Sequence, residues 1–155
     1  MPDYLLRVAR NRHARNLVRQ LKLPIPVPAT LPRAAGSWTD APLAGQNILP
    51  LTLGEGGTSL AALKEICEDA GASFGEDAPK TSGIVVDATG MQSTETLHEL
   101  YDHIHPAMTK LARVGRILLL ARSPESCEHR LAAAASYALS GFTRSLANEI
   151  GRVGS

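Results

Sequence analysis

Three nearly unbroken apolar stretches punctuate the chain from residue 47 onward: NILPLTL (47–53), GIVVDATG (83–90) and GRILLLAR (115–122). Between and after them, apolar residues recur every three or four positions. Short continuous apolar runs predict strands buried on both faces, and the longer period predicts helices packed against them. Thr58 or Ser59 is placed to cap a helix through SLAALKEICEDAG, which Gly71 ends. Residues 94–112 predict an amphipathic helix with Leu97, Leu100, Tyr101, Ile104, Met108 and Leu111 inward. Pro124 is suited to the first turn of a last helix, 125–150. A further short strand is expected near Ala72 to Phe74. Strands alternating with helices imply a parallel sheet covered on both sides, a doubly wound α/β fold of Rossmann or flavodoxin-like type. Only three strong strands are visible, so the sheet reads as incomplete and its open edge needs a partner.

The first 45 residues follow another pattern. Residues 3–22 predict a helix with Leu5, Val8, Leu17, Val18 and Leu21 on one side and Arg7, Arg10, Arg12, Arg15 and Arg19 over the rest. LPIPVPATLP follows, and its four prolines in nine residues exclude helix and favour an extended connector. This strap, continuing to about residue 45, is expected along a surface with Trp38 as its anchor. The organisation is therefore 1–45, a basic helix and proline-rich connector, and 46–155, a truncated Rossmann-like domain expected to be a piece of a longer chain.

Charge and composition narrow the chemistry. Residues 1–33 hold seven Lys/Arg and one acidic residue, while 34–155 hold nine basic and fourteen acidic, so a net charge of +1 conceals a basic arm. The arm lacks interleaved aromatics and any nucleic-acid-binding motif, so no nucleic acid is expected. No apolar run reaches membrane-spanning length, and arginines interrupt the region where an export signal would lie. A cytoplasmic protein with no membrane partner is expected. Cys67 and Cys127, both placed in predicted helices, lack metal or redox spacing. His98, His103 and His105 do not share a helix face, so no metal site is expected.

Three stretches together resemble the short-chain dehydrogenase/reductase family. GIVVDATG is similar to the strand that ends in that family's Asn-Asn-Ala-Gly turn, GRILLLARS to the strand carrying its catalytic serine, and GFTRSLANEIG (141–151) to the helix after its Tyr-x-x-x-Lys pair. With LVRQLKLPIPVPATLPR ahead of them, they resemble the amino-terminal, flavodoxin-like domain of high-molecular-weight 3-oxoacyl-ACP reductases. The resemblance implies a parent that reduces a 3-oxoacyl-ACP or acyl-CoA with NADH or NADPH in a second, C-terminal domain. It also implies homo-oligomerisation through helices 94–112 and 125–150. Acyl carrier protein is a further expected partner, steered by the basic arm.

Matched residue by residue, the catalytic set is missing. Counting back from Gly141, the family's lysine position holds Ser136 and its tyrosine position holds Ala132; Arg122 stands at the serine position, with Ser123 one residue on. Tyr137 lies five residues beyond position 132, about 140° further round a helix. No catalytic residue is therefore assigned. The cofactor-binding candidates are Gly54, Gly56, Gly57 and Thr58 of TLGEGGTS. Their spacing is not GxGxxG, and Glu55 has the wrong sign for phosphate, so no cofactor is expected in this segment. Asp87 is expected to cap its own turn. The leading expectation is a non-catalytic scaffold and assembly part of a 3-oxoacyl-ACP reductase. One rival is a flavodoxin-like module that holds a nucleotide or flavin at Gly54–Thr58. The other is an active reductase using Tyr137, which would require a lysine where Gly141 stands.

Overall fold

The computed structural model describes residues 11–22, 36–55, 57–75 and 78–153. In chain order the elements are α1 (Arg12–Gln20), β1 (Asn47–Gly54), α2 (Ser59–Asp69), β2 (Ser73–Phe74), β3 (Thr81–Gly90), α3 (Leu97–Lys110), β4 (Leu111–Leu120) and α4 (Arg130–Val153). Single 3₁₀ turns at Thr94–Thr96 and Pro124–Ser126 lead towards α3 and α4.

The four strands form one parallel sheet in the order β2-β1-β3-β4. This is the doubly wound order, in which the chain reverses its direction of travel between β1 and β3. Alternate side chains of each strand serve opposite faces. On one face Leu49, Leu53, Ile84, Val86 and Ala88 pack with Leu100, Ile104 and Ala107 of α3 and with Ala135, Leu139 and Leu146 of α4. On the other, Ile48 and Val85 pack with Cys67 of α2, next to Leu60, Leu63 and Phe74. Leu53, Ile84, Ile104 and Leu139 are fully buried, and each contributes about 1.5–3 kcal/mol by leaving water.

The local reasons are legible in the residues. Gly71 adopts a left-handed φ of +89° and ends α2, its N–H donating to the Glu68 carbonyl. Leu100, Ile104 and Ala107 form the stripe that buries α3, and Ala132, Ala135, Leu139 and Leu146 form that of α4. β4 carries extra residues against β3, since Thr81 pairs with Leu111 but Gly83 with Arg116. The bulge holds Val114 at φ +69°, strained for a β-branched residue.

Several expectations are corrected. Tyr101 is 67% exposed, because it lies at the edge of the α3 stripe rather than on it. Leu111 begins β4 instead of closing the helix. Pro124 starts only a 3₁₀ turn; α4 begins at Arg130, and Cys127 lies between the two, outside any helix. Trp38 is 87% exposed, not buried as an anchor would be. The short strand expected near Ala72–Phe74 is β2, which pairs with β1 through Asn47 and Ile48. Of the expected 3–22 helix, the described part is α1, where the Asn11 side chain accepts from the His13 and Ala14 amides. The strap residues 23–35 and the arginines at 7 and 10 lie outside the described residues.

Candidate functional site

A doubly wound sheet offers its binding crevice at the carboxyl ends of the strands flanking the reversal point. Here those ends are Gly54 of β1 and Asp87–Gly90 of β3. Three of the four sequence candidates, Gly54, Gly57 and Thr58, are brought to this place; Gly56 lies outside the described residues.

The first feature is a close backbone contact. A Cβ at Gly90 would stand 2.4 Å from the Glu55 carbonyl oxygen and 2.9 Å from the Gly57 nitrogen. One at Gly54, which has φ +71°, would stand 2.8 Å from the Gly90 carbonyl oxygen. The turns after β1 and β3 therefore touch main chain to main chain, and these glycines permit the approach. The Gly54 N–H donates to Glu99 Oε2 of α3 at 2.8 Å, which ties the turn to the helix layer.

The second feature is Asp87, which has no exposed surface. Oδ2 accepts from the Ser59 N–H at 2.9 Å, and Oδ1 accepts from the Thr89 N–H at 3.0 Å and the Thr89 hydroxyl at 2.5 Å. The Leu60 amide also lies near enough to this carboxylate to favour its charged form. Burial pushes its pKa up, but the Thr89 hydroxyl and the Thr89, Ser59 and Leu60 amides outweigh it and hold Asp87 below the usual carboxylate range. Thr58 holds the N-cap position with helical torsions (φ −114°, ψ −4°) and makes no side-chain capping bond. The cap of α2 comes instead from a strand 28 residues away in sequence. A Cβ at Gly57 would lie 3.0 Å from Asp87 Oδ2, so the carboxylate also fills the space beside the glycine turn. Asp87 thus caps helix α2 as well as its own turn.

This arrangement bears on chemistry. The helix-start N–H groups that a pyrophosphate would need are donating to Asp87, whose negative charge opposes a second anion. Asp87 has neither a proton to give nor the basicity to take one readily.

The counterparts of the family's catalytic positions lie elsewhere. Ala132 is buried at 3% exposure, and Ser136 is half-buried with its hydroxyl 3.7 Å from Cys127 Sγ. Tyr137 is 64% exposed on the outer side of α4. Arg122 and Ser123 are exposed after β4, and the Ser123 hydroxyl donates to the Glu125 carboxylate, holding it below its ordinary range. His98, His103 and His105 are exposed, with His105 stacked on Tyr101. Among the described residues no three His, Cys, Asp or Glu side chains converge on a metal position, and no helix is long and apolar enough to cross a membrane. Sequence reasoning undervalued Asp87 as a cap for α2. The signal was a lone acidic residue in an otherwise apolar strand, which has to be satisfied by donors if buried.

No family model matches the chain, and no curated protein matches it significantly.

Proposed function

We propose that this α/β module is a non-catalytic scaffold and assembly element, and that it serves as the amino-terminal part of a 3-oxoacyl-ACP or acyl-CoA reductase. The observation that carries the scaffold reading is the filled reversal point. Asp87 takes the helix-start donors, Gly54 and Gly90 bring the two turns into contact, and Glu55 adds further negative charge. A nicotinamide dinucleotide does not fit these residues, and no step of the chemistry is assigned through one.

The reductase reading rests on the sequence resemblance of the 83–90, 115–123 and 141–151 stretches. With Ala132 and Ser136 at the Tyr and Lys positions, the chain has no proton donor for the alkoxide that hydride transfer creates. Reduction would belong to a further domain of the parent.

The assembly role draws on the outer side of α3 and α4. Tyr101, Leu131 and Tyr137 are 67%, 58% and 64% exposed. A groove of about 220 Å³ runs between the helices, lined in part by Tyr101, Met108 and Phe142. An exposed aromatic beside an apolar groove, with further exposed apolar residues on the same helix pair, has the composition of an interface core. The partner would be a second copy or the reductase domain of the parent.

The test combines the intact mass of the natural gene product with an assay of 3-oxoacyl-CoA reduction by residues 1–155, using NADH and NADPH. A longer natural product and no turnover by the piece are expected. Turnover by the piece would overturn the scaffold reading, and a natural product ending at Ser155 would overturn the parent assignment.

A further inference from the structure

We propose that α1 of one copy docks on the outer face of α2 in a second copy, and that the exchange is reciprocal. A surface helix with an apolar stripe ordinarily buries it. In α1 the stripe is Ala14, Leu17, Val18 and Leu21, at the i, i+3, i+4, i+7 spacing. The Leu21 N–H donates to the Leu17 carbonyl at 2.9 Å, so the helical turn carries through Leu21. Leu17 and Leu21 are nevertheless 57% and 58% exposed. A single exposed leucine is ordinary on a protein surface, but two at i and i+4 stand side by side.

Charge says what this stripe fits. Residues 12–22 hold Arg12, Arg15, Arg19 and Lys22 and no acidic residue. A complementary surface combines an apolar contact with negative charge. The chain carries such a surface on α2. The inner side of α2 meets the sheet through Cys67, next to Leu60 and Leu63. Its outer side exposes Ala62 and Ile66, the latter 62% exposed, and their i, i+4 spacing puts them on one face. Glu65 and Asp69, each three residues beyond one of them, are exposed alongside. Lys64, the one cation of α2, lies on the other flank and pairs with Glu68 at 3.9 Å. The helices match in length, since nine and eleven residues span about 13 and 16 Å.

Leu17, Leu21 and Ile66 all stay exposed within one chain, so α1 is not seated on its own α2. The α2 of a second copy is the surface that suits it. Each copy brings one basic and one acidic helix, and exchange in both directions closes a two-fold dimer. α2 lies on the opposite face of the sheet from α3 and α4, so this contact leaves the groove between those helices open to its own partner.

Photo-crosslinking of the full 155-residue chain tests this, with a photoreactive amino acid in place of Leu17 and an equal mixture of unlabelled and isotope-labelled protein. Crosslinked peptides joining position 17 of one isotopic form to 61–69 of the other are expected. Ile66→Asp should lower their yield about 10-fold or more without lowering the melting temperature. The charge reversal Glu65→Lys with Asp69→Lys, at two exposed positions, should lower it as well. Crosslinks to 61–69 within single chains only would make the chain's own α2 the occupant and overturn the proposal. Crosslinks confined to other regions, no crosslinks between chains, or an unchanged yield in both α2 variants would overturn it too.

Discussion

Replacing Asp87 by Ala removes the acceptor that serves the Ser59 and Thr89 amides and the Thr89 hydroxyl. Hydrogen bonds to a charged group are each worth about 1.5–3 kcal/mol, and losing a helix N-cap costs about 0.5–2 kcal/mol. The bonds are coupled and Ser59 is half-buried, so water recovers part of the loss. A net destabilisation of about 3 kcal/mol is expected. With a urea dependence of about 2 kcal/mol per molar, the midpoint should fall by about 1.5 M. Asp87→Asn keeps the shape and one acceptor oxygen and should lose roughly half as much. The pH dependence has a definite sign. Because the folded pKa lies below the ordinary value, the unfolded chain takes the proton first as pH falls. The contribution of Asp87 is complete well above the ordinary carboxylate pKa and is lost as pH falls through the folded value. Wild type should therefore lose more stability than Asp87→Asn between pH 5 and pH 3. Urea titrations of the three chains at both pH values measure this. A midpoint shift below about 0.3 M in the Ala variant, or equal pH dependence in wild type and Asn variant, would refute the reasoning.

Gly90→Ala should cost more than about 2 kcal/mol, since the new methyl meets the Glu55 main chain at 2.4 Å and no side chain can move aside; thermal denaturation reads it. Tyr137→Phe should change stability by less than about 0.5 kcal/mol, because the ring is 64% exposed; a larger loss in chemical denaturation would place Tyr137 in a structural contact. Tyr101→Asp with Tyr137→Asp should weaken any self-association or domain docking about 10-fold or more in sedimentation equilibrium without lowering the melting temperature; unchanged association would move the interface off α3 and α4.

The fold was largely legible because burial on both faces leaves a plain mark. The apolar runs ending in Leu53 and Thr89 are the two central strands β1 and β3, and the two-residue β2 is visible at Ser73 and Phe74; the equally apolar GRILLLAR is the edge strand β4, which is only half-buried, with Leu118 47% exposed, because no strand of the described residues covers its outer side. Boundaries were less legible. Pro124 satisfies the rule for a helix start, yet it begins only a 3₁₀ turn, and α4 starts at Arg130, just before its first buried residues Ala132 and Ala135. Tyr101 was misplaced because an aromatic at the edge of a stripe satisfies helical periodicity whether it faces the core or solvent. At the crevice, local chemistry pointed to Thr58 and Ser59 as caps, while the structure uses Asp87. Single-sequence rules see a cap only within a few residues of its helix, and this one crosses from β3. The glycines of the 54–57 turn were read from the sequence as a structural turn with weak phosphate potential. That Gly90 presses against them depends on the register of β1 and β3, which no local pattern encodes.

The central claim is that the reversal point of this sheet is filled by the chain's own groups. Its most direct test is calorimetric titration of the 155-residue chain with NADH, NADPH and FMN, with Asp87→Ala alongside. The account predicts no saturable heat from wild type. Stoichiometric micromolar binding by wild type, lost when Gly57 is replaced by Asp, would contradict it and make the glycine turn a phosphate site.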